Sequence, residues 1–262
     1  MLLLLSPAKT LDFSAPPEGV DATTPELRTE TAKLAAVTRK LTHADLRRLM
    51  EISDNLAELN VERFKTFNPK SNAGVQACFA FAGDVYDGLR GREIEPEGLA
   101  WAQDHLRILS GLYGVLKPLD KIQPHRLEMG TRLANERGAN LYDFWGDRVS
   151  KALNRAAKDH VDPTVVNLAS QEYFGAVDVK ALKSPVLTCL FKEEKDEELR
   201  VISFYAKIAR GMMARYAIDQ RLERASGLRA FEVGGYRFSA ELSTPTEWVF
   251  VRPQPMAKAA AE

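Results

Sequence analysis

The sequence predicts an α+β fold, a single domain in which helices surround a mixed central sheet. Short apolar runs such as residues 2–5 and 165–169 are typical of strands that are buried on both faces. Amphipathic stretches of helical period separate these runs. We find neither an internal repeat nor a change in composition that would mark a linker. We therefore expect one domain over residues 1–252 and a disordered tail over residues 253–262.

Composition and charge are those of a globular protein without an overall electrostatic bias. Hydrophobic residues make up 45% and charged residues 27% of the 262-residue chain. Since 36 lysines and arginines balance 36 aspartates and glutamates, any basic surface must be local. No apolar run approaches the roughly 18 residues of a membrane span, and the apolar N-terminal run ends too early for a signal peptide. We expect a cytoplasmic protein with no membrane partner.

The two cysteines, Cys78 and Cys189, lie in apolar runs without a CxxC or Cys/His spacing. This setting predicts buried free thiols in a reducing compartment, with a disulfide or a metal pair as the alternative. Two carboxylates, Asp84 and Asp87, are too few for a calcium loop, and we interpret them as a capping residue and a surface residue. We therefore expect no metal site and no cofactor.

Helices are predicted between the first strand and the middle of the chain. Pro25 suits the first turn of one helix, and Thr42 with Asp45 has the spacing of a capping box for the next. A third helix would end near Phe67, and a short buried helix follows it. Another helix is predicted over residues 98–109, whose apolar positions fall on one face.

The first strand runs into the sequence SPAKTLDF, which puts Ser6, Lys9 and Thr10 at the strand's carboxyl end. Ligands bind at that edge in open α/β sheets. Ser6 and Lys9 also match the S-x-x-K pair of serine β-lactamases and penicillin-binding proteins. That motif opens a helix, whereas Pro7 here follows a strand, and no K-T-G sequence comes later. We interpret the segment as a strand-end loop that offers one useful lysine.

Glycines, aromatic residues and cations are concentrated in the middle of the chain. From Arg107 to Arg132, five cations stand against two carboxylates, and Gly111 and Gly114 form a glycine turn. Such a turn beside cations suits a polyanion, because the backbone can approach it closely. The turn resembles the helix-hairpin-helix motif of DNA repair proteins, although Pro118 interrupts the second helix. A tightly turned core segment with solvated charges is the alternative.

The second half of the chain alternates helices and strands. The pattern predicts a helix over residues 141–158 and strands over residues 165–169, 185–191, 199–203, 236–238 and 248–252. Ser170 can cap a helix that follows the first of these strands. Its neighbours Asn167, Gln171 and Glu172 add polar groups at the carboxyl end of the strand over residues 165–169, as Ser6, Lys9 and Thr10 do at the end of the first strand. The sequence KEEKDEE predicts an acidic loop directly after the strand over residues 185–191.

A second basic segment runs from Lys207 to Arg229, where six cations stand against two carboxylates. Lys207, Arg210 and Arg215 fall three to five residues apart on a predicted helix, although a charged helical face is usually only solvated. Gly211 in the middle of this helix costs about 1 kcal/mol relative to alanine. The close approach of another backbone or of a ligand would explain the glycine.

Several segments, in this order, are similar to the signature segments of the YaaA family of bacterial peroxide-stress proteins: SPAKTLDF, GDVYDGL, LSGLYGVLKPLDKIQPHRLEMGT, LYDFWG, NLASQEYF, ISFYAKIARGMMARY, GYRF and WVFVR. These segments are distributed over nearly the whole chain. His125 departs from the family pattern, because we expect a tyrosine at that position. The resemblance implies a family-specific fold with a positively charged cleft that binds duplex or distorted DNA. It also implies a role in defence against hydrogen peroxide, with links to DNA repair and to the control of free intracellular iron.

The resemblance and the two basic segments together give a hypothesis for the site. We expect the cations within the family segments to line one cleft and to contact phosphates, while Tyr113 or Tyr205 stacks on an exposed base. These cations are Lys9, Arg107, Lys117, Arg126, Arg132, Lys207, Arg210 and Arg215. DNA is the expected partner, and a monomer is the expected state.

An enzyme that acts on a phosphorylated or nucleic-acid substrate in the same cleft is the alternative. Ser6, Glu128 and Glu172 are the candidate catalytic residues, because polar groups beside cations can take acid–base or orienting roles. The four histidines are scattered, and neither a nucleophile–His–acid set nor a metal-ligand cluster can be read from the sequence. DNA binding is therefore the main expectation, and catalysis stays open.

Overall fold

A computed structural model describes residues 1–196 and 198–255 of the chain. Its strands are β1 (Leu2–Leu5), β2 (Thr10–Leu11), β3 (Val75–Gln76), β4 (Phe81–Ala82), β5 (Leu106–Ser110), β6 (Gly114–Leu116), β7 (Lys121–Ile122), β8 (Val165–Asn167), β9 (Val186–Lys195), β10 (Glu198–Arg200), β11 (Arg237–Ser239) and β12 (Glu247–Pro253). Its α-helices are α1 (Arg28–Thr38), α2 (His43–Met50), α3 (Asp54–Thr66), α4 (Ala77–Ala80), α5 (Asp84–Leu89), α6 (Pro96–His105), α7 (Leu141–Trp145), α8 (Arg148–Ala157), α9 (Gln171–Phe174) and α10 (Ser203–Asp219). Short 3-10 helices span Gly91–Glu93, Ala225–Ala230 and Val233–Gly235.

The centre of the molecule is a mixed sheet, as predicted. Within the described residues it has eight strands, seven of them in the order β11-β12-β9-β8-β1-β5-β6, while β10 folds back on β9. The pairs from β12 through β9, β8 and β1 to β5 are parallel, and β11 and β6 add antiparallel edges. β1 is fully buried at the middle of the sheet. The prediction of a single α+β domain with a mixed central sheet is therefore confirmed.

The register of the central strands brings two loops together. Leu4 pairs with Asn167 of β8 on one side and with Arg107 of β5 on the other. Both β1 and β8 therefore end at the same edge of the sheet, and their following residues, Ser6 and Leu168, continue side by side. The backbone N–H of Leu168 donates to the carbonyl of Leu4 at 3.0 Å. This edge corresponds to the ligand-binding edge of open parallel sheets.

The helical predictions for the first third of the chain are confirmed, apart from small shifts of their ends. α1 begins at Arg28, three residues after Pro25. The Thr42 hydroxyl accepts a hydrogen bond from the backbone N–H of Asp45 at 3.2 Å, and the Asp45 carboxylate accepts one from the Thr42 N–H at 3.0 Å. This is the predicted capping box, which satisfies two of the free N–H groups at the start of α2.

The predicted helix-hairpin-helix element is wrong. Residues 98–109 are only partly helical, because α6 ends at His105 and the chain continues directly as β5. β5 and β6 form an antiparallel hairpin with Ser110 opposite Gly114. Gly114 has a φ of +73°, and the ring of Trp145 lies where its side chain would be. The glycines therefore make a tight turn between buried strands.

Other differences lie at element ends. The helix predicted over residues 141–158 is divided into α7 and α8 at Gly146, whose φ is +50°. Part of the predicted acidic loop belongs to β9 and β10, and α10 begins where the strand over residues 199–203 was predicted to end. The tail predicted from Pro253 starts with the last residue of β12, and residues 256–262 lie outside the described residues.

Gly211 of α10 lies where the helix crosses α5, as the cost of a mid-helix glycine predicted. A Cβ at Gly211 would collide with the carbonyl oxygen of Val85 and would lie 2.7 Å from the backbone nitrogen of Leu89. A Cβ at Gly88 of α5 would likewise collide with the carbonyl of Ile208. The two backbones are thus in direct contact, and glycine on both sides makes this possible.

Both cysteines are buried free thiols, as predicted. Burial raises the pKa of Cys78 and of Cys189 well above the ordinary value of a thiol. Neither sulfur is therefore a nucleophile near neutral pH. In residues 1–196 and 198–255, no helix is both long and apolar enough to cross a membrane.

Candidate functional site

A cleft of about 490 Å³ opens at the shared carboxyl edge of β1 and β8. One wall is the segment that follows β1, and another is the start of α9. The crossed helices α5 and α10 form the opposite side. The charged side chains that line the cleft are Lys9, Asp84, Glu172, Lys207 and Arg210.

Two serines join the strand ends beneath the cleft. The Ser6 hydroxyl accepts a hydrogen bond from the backbone N–H of Ser170 at 2.9 Å. The Ser170 hydroxyl in turn accepts from the N–H of Tyr173 at 3.4 Å and so caps α9, as predicted. The buried hydroxyl of Tyr86 donates to the Ser6 carbonyl at 3.1 Å. Ser6 therefore has a structural role at the base of the cleft.

Each of the two lysines of the cleft faces a carboxylate. Lys9 Nζ lies 3.2 Å from Glu128 Oε2, and Lys207 Nζ lies 3.1 Å from Asp84 Oδ2. Both lysines are largely exposed, and ion pairs of this kind contribute little to stability. The lysines can therefore leave Glu128 and Asp84 and bind an incoming anion at a small cost in free energy.

Arg210 is the cation of the cleft that lacks a carboxylate partner. It forms no ion pair within the described residues, and its buried Nε finds no hydrogen-bond acceptor. Burial lowers the pKa of Arg210, although an arginine stays charged at every physiological pH. A buried donor without an acceptor costs about 1–3 kcal/mol. Arg210 is therefore the cation of the cleft whose charge is not matched by a carboxylate.

The charge of the cleft suits one anionic group. Among its described lining residues, three cations face two carboxylates, which leaves a single positive charge. Tyr173 also lines the cleft, and its hydroxyl is hydrogen-bonded to the backbone of Met129. Burial and the carboxylates of Glu172 and Glu128 raise the pKa of Tyr173, so this hydroxyl stays protonated.

The candidate catalytic carboxylates hold the loop that follows β7. Glu128 accepts from Arg126 at 2.8 and 2.9 Å through Oε1 and contacts Lys9 through Oε2. Glu172 accepts from the backbone N–H of Gly130 at 2.9 Å. Arg126 therefore joins the cleft only through Glu128, and both carboxylates already have structural partners.

Other predicted cations lie away from the cleft, so the expectation of one cleft for all of them has to be corrected. Arg107 lies at the amino-terminal end of β5 and donates to the carbonyls of Gln103 and Leu106 at 2.7 and 2.8 Å. Lys117 follows β6 near that end, where its N–H donates to Asp120 at 2.8 Å. Neither residue lines the cleft around Lys9.

Arg215 and Arg132 do not line the cleft either. The Arg215 guanidinium donates to Asp219 at 2.8 Å and to the carbonyls of Arg90 and Glu93 at 3.2 and 3.1 Å. It therefore ties α10 to the loop after α5, with all three of its nitrogens hydrogen-bonded within the protein. Arg132 is exposed in the loop before α7, outside the residues that line the cleft.

The two tyrosines predicted to stack on a base lie in different surroundings. Tyr113 is only 4% exposed, and its hydroxyl accepts from the N–H of Gln123 at 3.0 Å. Its ring packs edge-on against His125, whose pKa burial lowers to about 4. Tyr113 lines a separate cleft of about 150 Å³. Tyr205 is half-buried, and the guanidinium of Arg252 covers its ring at 4.8 Å.

The chain is similar over nearly its whole length to proteins of one family. Residues 1–242 match the family described as "Peroxide stress protein YaaA". The chain belongs to this YaaA family. UPF0246 proteins of Caulobacter vibrioides (strain NA1000 / CB15N) and Caulobacter sp. (strain K31) are each 64% identical to it over 255 residues, which cover 97% of this chain and 100% of each relative. A UPF0246 protein of Phenylobacterium zucineum is 62% identical over 261 residues, which cover 100% of this chain and 98% of the relative.

Membership in the YaaA family supports a role in peroxide stress. The cleft of this YaaA-family protein is built from four of the segments that carry the resemblance. SPAKTLDF and NLASQEYF follow the adjacent strands β1 and β8, while GDVYDGL and ISFYAKIARGMMARY contain α5 and α10. Segments far apart in the sequence thus meet around Arg210.

Sequence reasoning misses three residues of this site in the YaaA-family chain. Asp84 was expected to be a cap or a surface residue and instead pairs with Lys207, which is 123 residues away. The Tyr86 hydroxyl donates a hydrogen bond to the Ser6 carbonyl at the end of β1. Tyr173 is one of the residues that line the cleft. Their segments, GDVYDGL and NLASQEYF, were recognised as family segments, but the partners of each side chain depend on the sheet and the helix crossing.

Proposed function

We propose that this YaaA-family protein binds DNA during the response to hydrogen peroxide, through the cleft around Arg210. In this role it protects duplex or distorted DNA and limits free intracellular iron, as the family resemblance implies, and it acts as a cytoplasmic monomer. The observation that carries the DNA-binding proposal is the Arg210 side chain, which lines the cleft beside Lys9 and Lys207 and forms no ion pair in the described residues.

A phosphate of the DNA backbone supplies what the cleft lacks. Its oxygens would accept from Arg210, and charge-assisted hydrogen bonds of this kind are about twice as strong as neutral ones. Lys9 and Lys207 would turn from Glu128 and Asp84 toward the same phosphate or its neighbour. Because the net charge of the cleft is small, we expect only a few phosphate contacts and a modest salt dependence.

Replacing Arg210 with alanine is expected to weaken DNA binding about 10- to 100-fold, since a charged hydrogen bond contributes roughly 1.5–3 kcal/mol. Fluorescence anisotropy with duplex and bubble-containing DNA across a salt series measures this change. The slope of log affinity against log salt should also become shallower by about one. Removing a donor without an acceptor should leave the melting temperature close to that of the wild type.

Arg224→Ala is the matched control for this experiment. Arg224 is exposed and lies beside Glu223, whose carbonyl accepts from the Met1 amino group at the other end of the sheet. We expect this variant to bind DNA as the wild type does. If Arg210→Ala also kept the wild-type affinity and salt slope, the cleft could not be the phosphate site.

A second candidate function is an enzyme that acts on a phosphorylated or nucleic-acid substrate in the same cleft. The observation that favours it is that a carboxylate, Glu172, lines the same cleft as the cations Lys9, Lys207 and Arg210. A cleft with a single net charge also suits a reaction at one phosphate. In this reading Glu172 takes an acid–base role and the cations hold the substrate.

Glu172→Gln is the variant that tests catalysis, because glutamine keeps an oxygen that can accept from the Gly130 N–H. If Glu172 is an acid–base catalyst, turnover in a screen of phosphorylated substrates should fall at least about 100-fold while the fold is retained. Glu128→Gln is the control, since its carboxylate is already shared between Arg126 and Lys9. Equal turnover by Glu172→Gln and the wild type would remove Glu172 from the reaction.

A further inference from the structure

We propose that the cleft receives one unstacked nucleotide, whose phosphate binds Lys207 and Arg210 and whose base stacks on Phe204. The proposal rests on the proposed DNA-binding function and narrows it to a position where a base is unpaired. It assigns the aromatic contact to a residue other than Tyr113 and Tyr205.

Phe204 is a large apolar side chain left in contact with water. It is 53% exposed and lies in the first turn of α10. Lys207 follows three residues later, and side chains three apart are neighbours on a helix, with Cβ atoms about 5–6 Å apart. Arg210 follows after another three residues. The exposed aromatic ring of Phe204 is therefore a helical neighbour of Lys207, which lines the cleft together with Arg210.

A nucleotide matches both ends of this row. Its phosphate offers acceptor oxygens to Arg210, which lines the cleft and forms no ion pair in the described residues. Its base offers a flat face to the Phe204 ring, and every base can stack in this way regardless of sequence. An isolated exposed phenylalanine needs no explanation, but one that lies three residues before a lysine of the cleft has the arrangement that proteins use to hold an extruded base.

The start of α10 is held firmly, which fixes the position of Phe204. The ring of Phe204 packs edge-on against Tyr205, with centroids 5.4 Å apart. Arg252 lies over the Tyr205 ring at 4.8 Å, so that face is already occupied. Phe204 is thus supported from one side by Tyr205 and keeps more than half of its surface free for a base.

The surroundings favour one nucleotide over a continuous single strand. The sequence of residues 192–198 contains five carboxylates and only two lysines. This segment is next to the start of α10, where the Ile202 N–H donates to Glu193 at 3.4 Å. A strand that continued past Phe204 in that direction would meet like charge. We therefore expect the flanking nucleotides to stay in the duplex.

The test uses the full chain and two duplexes that differ at one position. In the first, 2-aminopurine faces a mismatched base and is easily extruded; in the second, it is fully paired. Anisotropy gives the affinity for each duplex, and 2-aminopurine fluorescence reports whether the base is stacked. Phe204→Ala should weaken binding to the mismatched duplex about 5- to 100-fold and change binding to the paired duplex less than about 2-fold. It should also abolish quenching of the base.

Two further variants act as controls. Phe204→Trp keeps an aromatic face and should retain both the affinity and the quenching. Val201→Ala removes another exposed apolar side chain near the start of α10 and should change neither. If Phe204→Ala weakened binding to both duplexes equally, or to neither, the stacking role would be overturned. A change in mass by light scattering would instead make Phe204 part of a contact between two copies, which would also overturn it.

A free nucleoside monophosphate distinguishes two sources of the same ligand. If it competes with the mismatched duplex and its affinity depends on Phe204, the same contacts serve a free nucleotide. If it does not compete, they serve a nucleotide within DNA. Failure of the underlying function looks different, because wild-type protein would then bind neither duplex. Weaker binding by Arg210→Ala together with no effect of Phe204→Ala would reject the nucleotide proposal alone.

Discussion

Gly211→Ala is expected to lower the free energy of unfolding by about 2 kcal/mol and to distort the cleft. The new methyl group would collide with the carbonyl of Val85, and α5 would have to move away from α10. Overpacking of this kind costs about 1–3 kcal/mol, and the upper end applies because the obstacle is backbone. The gain in helix propensity, about 1 kcal/mol, offsets only part of it. Urea unfolding with an unchanged slope measures the loss.

The same substitution should affect ligand binding, because α5 and α10 carry Asp84, Lys207 and Arg210. Movement of one helix changes the distance between the cations and the strand-end loop. Gly227→Ala is the matched control, since its methyl group would meet only the end of the Leu222 side chain, which can turn away. Wild-type stability of Gly211→Ala would mean that the two helices are not held in contact.

Much of the fold could be predicted because local interactions decide it. Four apolar residues followed by Pro7 indicate a buried strand that ends where β1 ends. Hydrogen bonds between neighbours in sequence define the cap at Thr42 and the cap at Ser170. Gly211 indicated a close contact for the same reason. The unfavourable helix propensity of glycine is a local property, and it does not depend on what the residue packs against.

The hairpin of β5 and β6 could not be predicted from local pattern. Its first strand, Leu106–Ser110, is a short apolar run, and such a run is compatible with the last turn of a helix or with a buried strand. The choice depends on pairing with β1, more than a hundred residues earlier in the chain. Long-range pairing leaves no periodic signal in the sequence.

The site was predicted only in part, because cations with equal charge have unequal surroundings. Arg210 and Arg215 lie on the same helix, yet Arg215 is bound to Asp219 and to two carbonyls, while Arg210 forms no ion pair in the described residues. Arg107 belongs to a family segment, but its guanidinium donates to the carbonyls of Gln103 and Leu106 and does not line the cleft. Charge patterning shows where cations occur, and the fold decides which of them face the same cleft.

Glu193→Ala is expected to destabilise the protein by about 3–5 kcal/mol, the largest effect that we predict for a single side chain. Glu193 is completely buried, and Arg252 Nε lies 3.3 Å from its carboxylate. The contact is an ion pair without hydrogen-bond geometry, since that Nε has no acceptor. The Tyr236 hydroxyl donates to the same carboxylate. Removing one partner of a buried ion pair leaves the other charge uncompensated, which accounts for the magnitude.

Glu193 also explains why Phe204 is well positioned. Its carboxylate accepts from the N–H of Ile202, directly before α10, and its partner Arg252 covers Tyr205. Burial and the hydrogen bond to Glu193 raise the pKa of Tyr236, so that hydroxyl remains a donor at neutral pH. Loss of the carboxylate should therefore loosen the first turn of α10 as well as the core beneath it.

Urea unfolding of three variants separates charge from packing. Glu193→Gln keeps an acceptor for Tyr236 and should lose less stability than Glu193→Ala. Glu194→Ala, a change at the exposed neighbour, should be nearly neutral. Replacing Glu193 and Arg252 together with apolar residues should recover part of the loss, because no buried charge is then left unpaired. If the loss of stability in the double variant equalled the sum of the losses from replacing Glu193 and Arg252 singly, the two side chains would not act as a pair.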